Sequence, residues 1–165
     1  MKPDEQPGME KISLEPIGYV RSPRVKVEDD HWGGITSEIV IGLHEEALQG
    51  IEEFSHAEVI FLFDRVSEED IERGARHPRG NPAWPRVGIL AQRAKGRPNR
   101  LGATIVRVLK REGKVLTVAG LDAVDGTPVL DIKPVLREFL PAGPVRQPIW
   151  AGELMKDYWK ESEDL

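Results

Sequence analysis

The chain has 165 residues, 39% apolar and 31% charged, with no cysteine and a net charge of −5, a composition that excludes collagen, coiled-coil and disordered classes. At this length one hydrophobic core forms without disulfide staples, because roughly 70% of the surface of the unfolded chain is buried on folding. Without thiols there are no cysteine nucleophiles, iron–sulfur clusters or thiolate zinc sites, and His31, His44, His56 and His77 stand too far apart for a short metal motif, so no metal is expected.

Residues 1–11 are polar and carry Pro and Gly, which predicts a disordered tail, and the opening MKPDEQPGMEK lacks the apolar stretch of a signal peptide. The longest apolar run, residues 59–63, is far short of the ~20 residues needed to cross a bilayer, so no membrane contact and a cytoplasmic location are expected. Residues 12–21 and 37–42 set Ile, Val and Tyr between Pro or Gly and predict short strands. In residues 44–54, Ala47, Leu48 and Ile51 continue a helical spacing from Leu43, with Gly50 as a weak point. Residues 56–66 are apolar almost throughout and predict a strand within a closed sheet. Ser67 and Asp70 resemble a capping box that opens a short helix, ended by Gly74.

Beyond this point the texture changes. Residues 73–111 hold nine Arg, two Lys and no Asp or Glu, whereas the rest of the chain holds 12 basic and 28 acidic side chains, so a +11 segment sits in a −16 protein. The planar fork of arginine matches phosphate and carboxylate oxygens and stacks on bases, which favours a polyanionic partner on one face, bound in a salt-dependent way. Residues 75–86, with three prolines and a glycine, predict a long functional loop. Residues 87–93, 101–110 and 114–121 predict strands joined by AKGRPNR and REGK, and Asp125-Gly126 before TPVLDI predicts a hairpin turn. After Pro134 the chain becomes a Pro/Gly-interrupted arm with Trp150, Tyr158 and Trp159, suited to packing on the body or on a partner subunit.

Strands that follow one another without crossover helices predict a mainly β fold, a single-sheeted antiparallel β-barrel with short helices and an extended C-terminal arm. The organisation expected is a tail at 1–11, a barrel at 12–140 and an arm at 141–165. A doubly wound nucleotide fold is disfavoured, since the chain has neither a GxGxxG between strand and helix nor a Walker loop.

Three pieces place polar groups at strand ends: FSHAEVIFLFDR, GILAQRAKGRPNRLG and GLDAVDGTPVLDIKP. Arg93 closes an apolar strand, and the Arg97-Pro98-Asn99 turn beyond it is rigid, an arrangement suited either to solvent-facing arginines or to an anionic ligand. Asp125 serves a turn, Asp122 has no local duty, and Asp64 and Arg65 sit where a strand exits or reaches a ligand at the rim. In the long loop, His77 and Trp84 could offer phosphate contact and base stacking. His56 reads as structural and His44 as the solvated start of a helix.

Taken with PIGYVRSP at residues 16–23, these ordered motifs make the chain similar to the YaeB/TrmO-type family (TsaA-like, UPF0066) of S-adenosylmethionine-dependent tRNA methyltransferases, over about residues 12–134. The resemblance implies methylation of N6 of threonylcarbamoyladenosine at position 37, in the tRNA anticodon loop, by a homodimer that holds the cofactor near the subunit contact. It places Asp64, Arg65, Arg93, Leu101, Asp122, Ala123, Val124 and Asp125 around S-adenosylmethionine, with Arg93 suited to the methionine carboxylate and either Asp122 or main-chain groups suited to the ribose hydroxyls. Asp30, His31 and Trp32 stand where relatives carry a Pro/Gln-bearing cofactor contact, and the family's R-P-N-P-I-G reads Arg97-Pro98-Asn99-Arg100-Leu101-Gly102 here. Arg76, His77, Arg79, Trp84, Arg97, Asn99 and Arg100 are the expected RNA contacts. Two other functions fit the same residues: a cofactor-binding barrel with a different substrate, and an RNA-binding barrel without catalysis.

Overall fold

The computed structural model describes residues 8–162; residues 1–7 of the expected tail and 163–165 of the expected arm lie outside the described residues. Six strands close into an antiparallel barrel: β1 (Gly18–Arg21), β2 (Thr36–Ile41), β3 (His56–Leu62), β6 (Leu101–Glu112), β7 (Val115–Ala119) and β8 (Pro128–Pro134), in the order β1-β2-β7-β6-β3-β8. The remaining two, β4 (Ala75–Arg76) and β5 (Val87–Gly88), pair as a separate ribbon at the two ends of the proline-rich loop. The mainly β barrel expected from the sequence is therefore the fold.

Alternation explains how the barrel fills. Ser37, Ile39 and Ile41 on β2, Ala57, Val59 and Phe61 on β3, and Leu116 and Val118 on β7 point inward, while the residues between them are half-buried on the outer wall. Val20, Leu48, Val106 and Val129 join this core, and Phe61 meets Phe63 edge to face with 5.2 Å between ring centroids. Leu121 and Ala123 belong to the same cluster, which places the β7–β8 connection over one mouth of the barrel.

Four local expectations give way to tertiary contacts. Residues 44–54 form two 3-10 turns, Glu45–Leu48 and Ile51–Glu53, because Gly50 between them takes a left-handed φ of 89°. The helix expected after Ser67 is one 3-10 turn, Glu68–Asp70: the serine hydroxyl donates to the Asp70 carboxylate (2.9 Å), and the Glu72 amide goes to the Gly96 carbonyl instead of continuing a helix. The strand expected at 87–93 stops after Gly88 and becomes a 3-10 turn, Ile89–Ala91, with the Gln92 side-chain amide donating back to the carbonyls of Arg76 and Val87, each at 3.0 Å. Asp125-Gly126 is a turn but closes no hairpin, since β7 lies between β2 and β6 and β8 between β3 and β1. Its amides donate instead to Arg24 and Val20, docking the turn on the end of β1.

The arm carries one short helix, α1 (Ile149–Leu154), followed by a strap that returns to the barrel. The amides of His31, Trp32 and Gly33 donate to the carbonyls of Asp157, Tyr158 and Lys160, and Gly33 bridges Glu161 in parallel. Among the described residues no helix is long and apolar enough to cross a membrane, and no group of three or more His, Cys, Asp or Glu is placed to hold a metal ion.

Candidate functional site

Strand register brings the chemistry to one end of the barrel. Leu62 pairs with Leu101, Thr36 with Ala119 and Tyr19 with Pro128, so the β1–β2, β3–β6 and β7–β8 connections all emerge at the same rim. The start of β6 runs past the end of β7, whose Ala119 pairs only as far back as Arg107, and residues 120–124 continue along that flank.

There Asp122 finds the partners that its local sequence did not supply. Its Oδ1 accepts the hydroxyl proton of Thr104 on β6 at 2.5 Å, and its Oδ2 accepts that of Tyr158 from the C-terminal strap. Burial pushes the Tyr158 phenol far above its ordinary range, and the Asp122 charge adds to the rise, while Arg93 and Arg79 pull the other way. Tyr158 therefore remains a donor at any physiological pH. The Arg93 guanidinium donates to the Ala103 carbonyl on β6 and keeps further N–H groups for a ligand. The result is a half-buried carboxylate with spare lone pairs, two fixed hydroxyl donors and two guanidinium groups within electrostatic reach. This donor set fits a ligand that carries both hydroxyls and a carboxylate.

Around this centre the other expected residues take distinct places. Asp30 binds Arg79 through both oxygens, at 2.9 and 3.2 Å, which ties the β1–β2 connection to the arginine loop. His31 sits exposed at a φ of 66°, and its carbonyl accepts from Arg24 at 2.6 Å. Trp32 is 3% exposed; the buried Arg24 guanidinium lies 4.2 Å over its ring, and Ile35, Val124 and Tyr158 pack with it. Arg65 donates to the carbonyls of Val25 (2.6 Å) and Asp125 (2.9 Å), and Asp125 accepts from the Ser22 amide at 3.0 Å, so this pair binds the three connections to one another. Asp64 stands exposed in the turn after β3, Leu101 is partly exposed at the head of β6, and Ala123 is buried under the rim.

The arginine segment divides in the same way. Arg97 donates to the Gln92 carbonyl at 2.6 Å, Arg100 to that of Val66 at 2.7 Å from a φ of 52°, and His77 Nδ1 meets the Trp84 carbonyl at 2.7 Å. Trp84 donates its indole N–H to Glu153 of α1 at 2.7 Å. Arg76 carries a buried Nε without a hydrogen-bond partner among the described residues, whereas Arg86 and Asn99 are exposed. The long loop is thus held in shape by part of its own cationic set. Sequence reasoning missed Thr104, Tyr158 and Arg24, none of which carries a local signal that marks it.

Two open hollows lie along the barrel wall, away from Asp122 and Arg93. One, about 590 Å³ and open, is lined by residues that include Arg21, Glu38, Lys110 and Asp125; the other, about 450 Å³, runs along β1 and β2.

A family model described as the tRNA-methyltransferase O N-terminal domain matches residues 23–139. The chain is 34% identical over 146 residues to a tRNA (adenine(37)-N6)-methyltransferase of Mus musculus, an alignment taking in 81% of this chain and 33% of the mouse protein. It is 33% identical over 156 residues to a probable S-adenosyl-L-methionine-binding protein of Pyrococcus abyssi, over 90% of this chain and 79% of that protein. The crystal structure of TrmO from P. aeruginosa superposes with a TM-score of 0.69 at 28% identity, over 88% of this chain and 64% of that one. This chain therefore spans about a third of the mouse relative and under two thirds of the crystallised chain.

Proposed function

Because this chain belongs to the family of the tRNA-methyltransferase O N-terminal domain, we propose that it is an S-adenosylmethionine-dependent methyltransferase acting on N6 of threonylcarbamoyladenosine at position 37 of tRNA. The observation that carries the reading is the Asp122 carboxylate, clamped by two hydroxyls beside Arg93 at the rim where three connections meet. When bound, S-adenosylmethionine supplies an electrophilic methyl group on a sulfonium.

In this reading Arg93 binds the carboxylate of the methionine end and Asp122 binds ribose hydroxyls, each side chain already held by a hydrogen bond to β6. Leu101 and the Ala123–Val124 segment give the apolar wall, Asp30–Trp32 close the site from the β1–β2 side, and Asp64 orients charge without favouring the transition state, in which the positive charge is dispersed. Arg65 and Asp125 keep the rim closed. Residues 12–140 form the cofactor domain and 141–165 the arm. Methyl transfer is an in-line displacement, so the protein's contribution is alignment and exclusion of water rather than covalent help.

The arginine loop is the tRNA face in this proposal, supported by a segment with no acidic residue between positions 73 and 111. Homodimerisation is supported by the outer row of β6, where Leu101, Ile105 and Leu109 are 38%, 52% and 45% exposed. A cytoplasmic site of action follows from the substrate. The test is transfer of labelled methyl from S-adenosylmethionine to tRNA with and without threonylcarbamoyladenosine. Incorporation confined to the modified tRNA is expected; labelling of neither, under conditions where the cofactor binds, refutes the assigned substrate.

A further inference from the structure

The C-terminal arm, α1 and the strap after it, lies beyond the matched family segment, residues 23–139, yet it contacts all three rim connections. Tyr158 reaches Asp122, its carbonyl takes the Trp32 amide at 2.8 Å, and Glu153 on α1 takes the Trp84 indole at 2.7 Å. The body is shaped to receive it. A Cβ on Gly33 would stand 2.0 Å from the Trp159 carbonyl oxygen, so the strap and the β1–β2 connection approach as only glycine permits. The Tyr158 ring is further braced by Trp159, edge to face at 4.9 Å.

We propose that Tyr158 is a positioning residue, which fixes the Asp122 carboxylate as a hydrogen-bond acceptor for the hydroxyl-bearing part of S-adenosylmethionine. Thr104 and Tyr158 each hold one oxygen, so the carboxylate plane cannot turn and its remaining lone pairs keep one direction. The strap thereby joins cofactor affinity to the docking of the arm. The inference rests on the cofactor reading above.

The test is a calorimetric titration of the full chain with S-adenosylmethionine for the wild type, Y158F, D122N and the double variant, with a thermal melt of each. Y158F removes one oxygen and should weaken binding about tenfold, the order expected for a hydrogen bond to a charged group. D122N keeps one acceptor oxygen and leaves weakened binding that is measurable at millimolar cofactor; in that background Y158F should cost nothing further. G33A, which displaces the strap without touching Asp122, should reproduce the Y158F loss. Wild-type affinity in Y158F and G33A, or an equal Y158F loss with and without Asp122, overturns the inference and leaves the cofactor reading intact. A wild type that binds no cofactor overturns both.

Discussion

Gly102 closes the R-P-N-x-L-G motif, and its neighbours give it a packing duty that can be measured. A Cβ built there would lie 2.5 Å from both Cε2 and Cζ of Phe61, well inside van der Waals contact. The ring cannot retreat, because Phe61 is 1% exposed, meets Phe63 edge to face and lies in the barrel core with Val59 and Val106. Overfilling a packed core of this kind costs about 1–3 kcal/mol. At about 2–4 °C per kcal/mol for a domain of this size, G102A should melt about 2–12 °C below the wild type. A thermodynamic cycle isolates the cause. F61L alone should cost on the order of 1 kcal/mol, and the G102A/F61L double variant should be more stable than the sum of the two losses by at least ~0.5 kcal/mol, since the smaller side chain makes room for the methyl. A G102A protein that melts within a degree of the wild type, or strictly additive losses, would refute the packing argument.

Three further outcomes are expected. Arg86 is exposed on the arginine loop without a partner among the described residues, so R86E should weaken tRNA binding and lower the slope of log affinity against log salt by about 1, with cofactor affinity unchanged by calorimetry. Trp84 clasps α1 through Glu153, so W84F should raise the hydrogen-exchange rates of the His31, Trp32 and Gly33 amides, which donate to the strap, while barrel amides keep theirs. The Arg111 hydrogen bond holds Glu52 down to about 2 from its ordinary 4.5, so the pair stabilises the fold above pH 4.5 and that share is lost as pH falls towards 2. Melting temperature against pH should therefore fall less steeply over that window in E52Q, and 1 M salt should narrow the difference from wild type.

What the sequence reveals and what it hides divide along a physical line. Composition and punctuation are local, so β2, β3, β6 and β7 are legible to within a few residues from β-branched and apolar runs bounded by Gly, Pro or charge. Failures came where a distant group outbid the local pattern. Gln92 turns its side chain onto Arg76 and Val87 and ends a strand that the apolar run GILA would continue. Asp125-Gly126 has the composition of a hairpin turn, but the carbonyls of Arg24 and Val20 accept its amides, and a turn satisfied by a third strand need not join two paired ones.

The same division governs the site. Asp122 was conspicuous as a carboxylate without local work, and a half-buried carboxylate must be hydrogen-bonded, so partners could be inferred to exist. Their identity could not, because Thr104 is 18 positions away on another strand and Tyr158 is 36 positions away in a segment whose aromatic residues suggested only packing. A hydroxyl leaves no periodic mark; any threonine on β6 fits the strand pattern equally well. Arginine behaves in the opposite way, for its density between positions 73 and 111 is obvious while its use is not. Arg97 and Arg100 spend donors on the carbonyls of Gln92 and Val66, whereas Arg86 spends none, and the distinction lies wholly in which backbone groups the fold leaves within reach. A cationic segment of this kind is thus both the frame of its loop and the surface the loop presents. Charge reversal at Arg86 tests recognition, whereas reversal at Arg100 tests the fold.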